Sequence, residues 1–68
     1  MLRRKLYLPE GATSIALELA FWDALDSRAS SLRTTWQDYV KTLLQSKPQT
    51  VGRASHLRTT LFEECAHM

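Results

Sequence analysis

Few side chains in this sequence have the chemistry for catalysis or metal binding. His56, Cys65 and His67 are its soft metal ligands. The interval from His56 to Cys65 matches no zinc motif, and Cys65 and His67 would point to different sides of a helix. No glycine-rich phosphate loop is present either. We therefore predict no catalytic residue, no metal site and no cofactor, and hence a protein that is not an enzyme.

The chemistry that remains is the binding of an anion. Arg3, Arg4 and Lys5 crowd the beginning of a chain whose net charge is +2. Doubled in a dimer, this cluster would suit an anionic partner such as DNA. Ordinary solvated surface accounts for the cluster equally well at so modest a net charge.

A second candidate anion site lies at the beginning of a helix predicted over 35–47. Free backbone N–H groups and the helix dipole favour a phosphate there. A helix end capped in water is the alternative, and most helix ends are of that kind. The side chains that would add charge or hydrogen-bond donors are Arg33, Thr34, Thr35 and Gln37.

We expect the stretch Thr13–Ala29 to form the elements that position these groups. The spacing of its apolar residues changes along its length. Ile15 and Leu17 alternate with small or polar residues, and the apolar residues from Phe21 onward follow a helical spacing. This change predicts a strand over 13–18 that runs directly into a helix over 19–30. A single short strand leaves its edges unpaired. Its simplest partner is the same strand of a second copy, which predicts a homodimer.

The rest of the chain should pack against this pair of strands, so that residues 1–68 form a single domain. Residues 1–12 are predicted to form an outer strand that folds back, or else a basic arm. The helix over 35–47 has the strongest helical periodicity, and Pro48 ends it. A third helix is predicted over 54–66, with an apolar stripe of Ala54, Leu57, Leu61, Cys65 and Met68 that Phe62 widens. The fold class is therefore mainly α: a short N-terminal strand or hairpin, then three helices.

The apolar residues of the strand and of the first two helices should form the core of the dimer. At 68 residues and with one cysteine, the chain has little core of its own and no internal disulfide, so dimerisation is the expected source of stability. The predicted dimer core consists of Ile15, Leu17, Phe21, Trp22, Leu25, Tyr39, Val40 and Leu43.

The sequence offers no sign of a membrane segment. It has no run of about 18 apolar residues that could span a bilayer. The basic start is not followed by the apolar core of a signal peptide. A lone cysteine fits a reducing compartment, and we predict a cytoplasmic protein with no membrane partner.

The order strand, helix, helix, with a threonine at the start of the second helix, resembles the ribbon-helix-helix family of Arc, MetJ and CopG type repressors. The run TSIALELAFWDAL and the later SHLRTTLF are similar to a bacterial subfamily of small ribbon-helix-helix domains. The pattern of that subfamily is roughly Thr-Ser-x-x-Leu-Glu, then Phe-Trp-x-x-Leu, then a late Ser-x-x-Leu-Arg. The resemblance covers Thr13–Phe62, most of the chain.

The resemblance implies an obligate dimer that regulates transcription by binding duplex DNA. Two strands would form an antiparallel ribbon that enters the major groove, and the beginnings of the second helices would clamp phosphates. The outward ribbon positions would be Ala12, Ser14 and Ala16. The clamp would contain Thr35, Trp36 and Gln37.

Two of the three outward ribbon positions are alanine, which has no group for reading base edges by hydrogen bonds. Arg3, Arg4 and Lys5 would compensate as an arm on the DNA. The smooth ribbon and the additional third helix also suit an alternative on the same scaffold. That alternative is a protein-interaction module, such as an adaptor, an inhibitor or an antitoxin-like protein, whose partner is another protein.

Overall fold

The computed structural model describes residues 1–66, with side-chain environments for 1–64. The described residues form the strands β1 (Leu2–Leu8) and β2 (Gly11–Leu17) and the helices α1 (Leu19–Ser31), α2 (Trp36–Leu44) and α3 (Arg53–Ala66). A hairpin followed by three helices is the predicted fold class, which is confirmed.

No helix within residues 1–66 is both long enough and apolar enough to cross a membrane.

The two strands form an antiparallel hairpin. Pairing runs from Leu2 opposite Leu17 to Leu8 opposite Gly11, with Pro9 and Glu10 in the turn. Gly11 has a φ of 138°, a conformation that side-chain-bearing residues rarely adopt. Of the two alternatives for the beginning of the chain, the structure therefore shows the outer strand that folds back.

The neighbour of β2 in this structure is β1 of the same chain. The sheet has two strands, so each strand has one neighbour. Pairing between the strands of two copies, which the sequence suggested, stays a prediction. Ile15 is 2% exposed within one chain. A charge at this position would therefore disrupt the fold with or without a partner.

One face of the hairpin packs on the three helices. Residues with even numbers in β1 and odd numbers in β2 form this inner face, where Leu6, Ile15 and Leu17 are buried. The predicted core residues are already buried inside one chain, except Phe21, which is half-buried. The buried core consists of Leu6, Ile15, Leu17, Trp22, Leu25, Ala29, Tyr39, Val40, Leu43, Leu57 and Leu61.

Helix α3 contributes Leu57 and Leu61 to this core, and Ala54 packs against it. Phe62 does not widen the stripe as predicted, because its side chain is 71% exposed. It follows Leu61 directly, and a helix turns about 100° per residue. The side chain of Cys65 and all of Met68 and His67 lie outside the described part.

A bidentate ion pair joins the beginning of α1 to α3. Arg58 donates from Nε to Oε1 of Glu18 at 2.7 Å and from Nη2 to Oε2 at 3.0 Å. These hydrogen bonds lower the pKa of the Glu18 carboxyl below its usual value. Glu18 ends the run TSIALE and Arg58 ends the run SHLR, so the two stretches that carry the resemblance meet in space.

We expect Glu18→Arg and Arg58→Glu each to lower the thermal midpoint, because each brings two like charges together. The double variant should recover most of the loss, since it restores an ion pair with its polarity reversed. Circular dichroism melting of the three variants measures this. Glu63→Arg, a charge reversal on the exposed side of α3, is the matched control. A double variant less stable than both single variants would contradict the pairing.

Candidate nucleic-acid interface

The outer face of the hairpin, opposite to the core, carries long side chains on β1 and short ones on β2. The strand register places Arg3 opposite Ala16, Lys5 opposite Ser14 and Tyr7 opposite Ala12. Five of the six residues are exposed and Ala16 is intermediate. The alanines that the sequence placed on an outward ribbon thus lie beside side chains with hydrogen-bonding reach.

The cations of the outer face are available to a ligand. Within residues 1–66 no ion pair or hydrogen bond engages the Arg3 guanidinium or the Lys5 ammonium. Lys5 Nζ lies 6.0 Å from the centre of the Tyr7 ring, at the limit of a cation–π contact. By contrast, Arg4, Arg28 and Arg58 are held in internal ion pairs.

Arg4 is separated from Arg3 and Lys5, with which the sequence grouped it. It lies on the inner face of the hairpin and donates two hydrogen bonds to Asp26, at 2.7 and 2.9 Å. Its guanidinium stacks 4.5 Å from the Trp22 ring and 5.2 Å from the Trp36 ring. These hydrogen bonds lower the pKa of Asp26 and raise that of Arg4. Arg4 therefore fastens the hairpin to α1.

The threonine at the beginning of α2 caps the helix. The Thr35 hydroxyl accepts a hydrogen bond from the backbone N–H of Asp38 at 3.2 Å. The Trp36 ring packs edge-on against Trp22, with 5.6 Å between ring centres, so it belongs to the inner side of the hairpin. Gln37 is exposed. Thr35 and Trp36 thus have structural roles, and Gln37 is the more accessible side chain for a phosphate.

Arg33 is the non-glycine residue with positive φ, 56°, among those described. It ends α1 in a Schellman motif, in which Arg33 N–H donates to Ser30 O and Thr34 N–H donates to Ala29 O, both at 3.0 Å. Glycine usually occupies this position, because a left-handed backbone costs other residues about 1 kcal/mol or more. An arginine here presents an exposed positive charge directly before α2 at a cost in stability.

Replacing Arg33 with glycine should raise the free energy of unfolding by up to about 1 kcal/mol, because the strain disappears while the unfolded chain gains some entropy. Urea denaturation followed by circular dichroism measures the change. Ser30→Gly, inside α1, is the control and should instead lose about 0.5–1 kcal/mol. A loss of stability in Arg33→Gly as large as in the control would contradict this account.

The structure brings Arg3, Lys5, Ala12, Ser14 and Ala16 together on one surface. Tyr7 joins them and was absent from the predicted DNA-binding residues. The alternation of β1 already gave the signal, because Tyr7 shares its parity with Arg3 and Lys5. The residues around the beginning of α2 lie elsewhere in one chain.

The described residues contain no group of three histidine, cysteine or acidic side chains placed to hold a metal ion.

A family model described as ribbon-helix-helix domain matches residues 1–65. The chain therefore belongs to the ribbon-helix-helix domain family, as the resemblance suggested. Domains of this family are DNA-binding regulatory folds rather than enzymes, and they typically form dimers. No curated protein and no solved structure matches the chain.

Proposed function

We propose that this chain is a homodimeric transcription regulator that binds duplex DNA with the outer face of its hairpin in the major groove. The observation that carries the proposal is the register of the hairpin, which sets the free cations Arg3 and Lys5 opposite Ala16 and Ser14. A major groove about 12 Å wide accepts a two-stranded ribbon.

The outer face has the chemistry for reading bases as well as holding the backbone. The Arg3 guanidinium can donate two hydrogen bonds to the O6 and N7 atoms of a guanine. Lys5 and Tyr7 have donors for phosphate or base edges, and the alanine methyl groups can contact thymine methyls. Short residues on β2 leave room for the base pairs to approach the sheet. The alanines of β2 are thus compatible with DNA readout, because the long side chains of β1 supply the hydrogen-bonding groups.

The second part of the proposed interface is the segment before α2. Arg33 and Thr34 lie in the tight turn that ends α1, and Gln37 is exposed in the first turn of α2. Backbone N–H groups at a helix beginning favour a phosphate. In a dimer, two such segments would flank the ribbons and fix their position on the duplex.

The proposed dimer is supported by the family and by surfaces that one chain leaves uncovered. Each strand of the hairpin has one neighbour. Phe62 of α3 is 71% exposed and lines an apolar groove with Phe21 and Ala24 of α1, the kind of continuous apolar surface that marks interaction sites. A second copy that covers part of these surfaces would add the apolar burial that a chain of this size lacks.

Binding of the purified protein to a fluorescently labelled duplex, measured by anisotropy at several salt concentrations, tests the function. The logarithm of the affinity should fall linearly with the logarithm of salt, by about 0.9 per phosphate contacted. Light scattering should give twice the chain mass of 7.8 kDa. A monomer, or no binding at low salt, would contradict the proposal.

A second candidate, the protein-interaction module, is favoured by the exposure of Phe62, which lines an apolar groove between α1 and α3. Phe62→Ser separates the two uses of this surface. If the variant remains a dimer and binds DNA as before, the surface is free for another protein. If the variant is a monomer, the surface belongs to the dimer.

A further inference from the structure

A basic cleft separate from the outer face lies between the hairpin turn and the loop that joins α2 to α3. It has a volume of about 350 Å³. We infer that this cleft binds a small organic anion: a carboxylate, sulfonate or phosphate group carried by an apolar body. The residues that line it are Leu8, Pro9, Glu10, Lys41, Leu44, Gln45, Lys47 and Arg53.

The charge of the cleft comes from three parts of the chain. Lys41 lies on α2, Lys47 on the loop after it and Arg53 at the beginning of α3. The carboxylate among the lining residues is that of Glu10. No ion pair engages Lys41 or Arg53 within residues 1–66. Three cationic residues and one carboxylate line the cleft, so its lining is net positive, which suits an anionic group.

Lys47 is held in place rather than loose in solvent. Its Nζ donates to the carbonyl oxygens of Pro48, at 3.0 Å, and Val51, at 2.7 Å. An ammonium group has three donors, so one remains for a ligand. Because the loop already fixes this side chain, less conformational entropy is lost when an anion binds.

The wall of the cleft is apolar. Leu8 and Leu44 are half-buried and pack against the core, and Pro9 in the hairpin turn adjoins them. A cleft of this volume is at the lower end of the range for small-molecule sites, about 300–1,000 Å³. An apolar wall beside a cationic rim selects an amphipathic anion over inorganic phosphate, since the apolar body of the ligand is buried on binding.

Titration with 1-anilinonaphthalene-8-sulfonate, an aromatic sulfonate that fluoresces when bound, tests the inference on the intact protein. We expect saturable binding and a loss of at least about tenfold in affinity in Lys41→Gln/Arg53→Gln. The neutral analogue N-phenyl-1-naphthylamine should bind much more weakly than the sulfonate. Lys5→Gln, which removes a charge from the outer face, should leave sulfonate binding unchanged. Backbone amide NMR shifts should centre on Leu44, Lys47 and Arg53.

Several results would overturn the inference. If the double variant is folded by circular dichroism and binds the sulfonate as tightly as the wild type, Lys41 and Arg53 do not contribute to the site. Equal binding of the neutral analogue, or shifts centred on Ala24 and Phe62, would place the probe in an apolar groove on α1 and α3. Displacement of the probe by an equimolar DNA duplex would assign the cleft to phosphates of the DNA backbone. Binding of the probe is measured before any DNA is added, so the inference can fail while DNA binding by the outer face stands, and the reverse.

Discussion

Replacing Arg3 and Lys5 together with glutamine is expected to lower the affinity for duplex DNA by at least about a hundredfold. In a dimer the change removes four positive charges. If each contacts DNA, the slope of log affinity against log salt should also become shallower by up to about 3.6. If Arg3 contacts guanine as proposed, the change should in addition reduce discrimination between sequences.

The fold should survive this change, because both side chains are exposed on the outer face and lie outside the core. Anisotropy titrations at several salt concentrations measure the affinity and the slope. Lys41→Gln/Arg53→Gln is the matched control, since it removes the same charge from the cleft. Equal losses in the two double variants would show that net charge alone governs binding, and would contradict the role of the outer face.

Trp22→Ala is expected to lower the free energy of unfolding by about 3–5 kcal/mol. The side chain is 0% exposed, its indole N–H donates to the Leu2 carbonyl at 2.8 Å, and its ring packs on Trp36. The substitution therefore removes core volume, an anchor of β1 and the stacking partner of Arg4. Because a single core in a domain of this size rarely supplies more than about 3–5 kcal/mol, the loss is comparable to the whole stability, and a large fraction of the molecules should be unfolded at 37 °C.

Thermal and urea denaturation followed by circular dichroism measure this loss. Tyr7→Ala is the aromatic control, because Tyr7 is 69% exposed on the outer face. It should cost less than about 1 kcal/mol. A folded Trp22→Ala protein with a midpoint close to that of the control would contradict the central place of Trp22 in the core.

The change of period around Phe21 made the central elements predictable. Alternation at Ile15 and Leu17 gives a strand, and the spacing from Trp22 to Leu25 gives a helix, because each pattern reflects which side chains face the core. The cap at Thr35 is equally local. These short-range signals account for the agreement between the predicted and observed fold class.

The alternation of apolar residues could not predict the partner of β2. A period of two shows which face of a strand is buried, but it is the same whether the neighbour is β1 or a second copy. The even positions of β1 put Arg4 on the same face as Leu6 and Leu8. Alternation could not predict that Asp26, 22 residues further along the chain, accepts hydrogen bonds from Arg4. This pairing allows an arginine to occupy the inner face.

The candidate site was predictable in part for the same reason. Alternation puts Ser14 and the two alanines on the face opposite to the core, and the resemblance implied that this face contacts DNA. The residues opposite them follow from the register, which the turn at Pro9–Glu10 sets. Phe62 shows the limit of helical spacing, because a position adjacent to a buried stripe can fall on either side of its border. The cytoplasmic location and the dimer stay predictions.

Selection of bound molecules from a pool of random duplex DNA, followed by sequencing, tests the central claim most directly. We expect the wild-type protein to enrich a motif of two related half-sites, as a dimer requires. Arg3→Gln/Lys5→Gln should lose this enrichment, and Lys41→Gln/Arg53→Gln should keep it. No enriched motif from the wild-type protein at low salt, or the same motif from the Arg3→Gln/Lys5→Gln variant, would contradict DNA reading by the outer face of the hairpin.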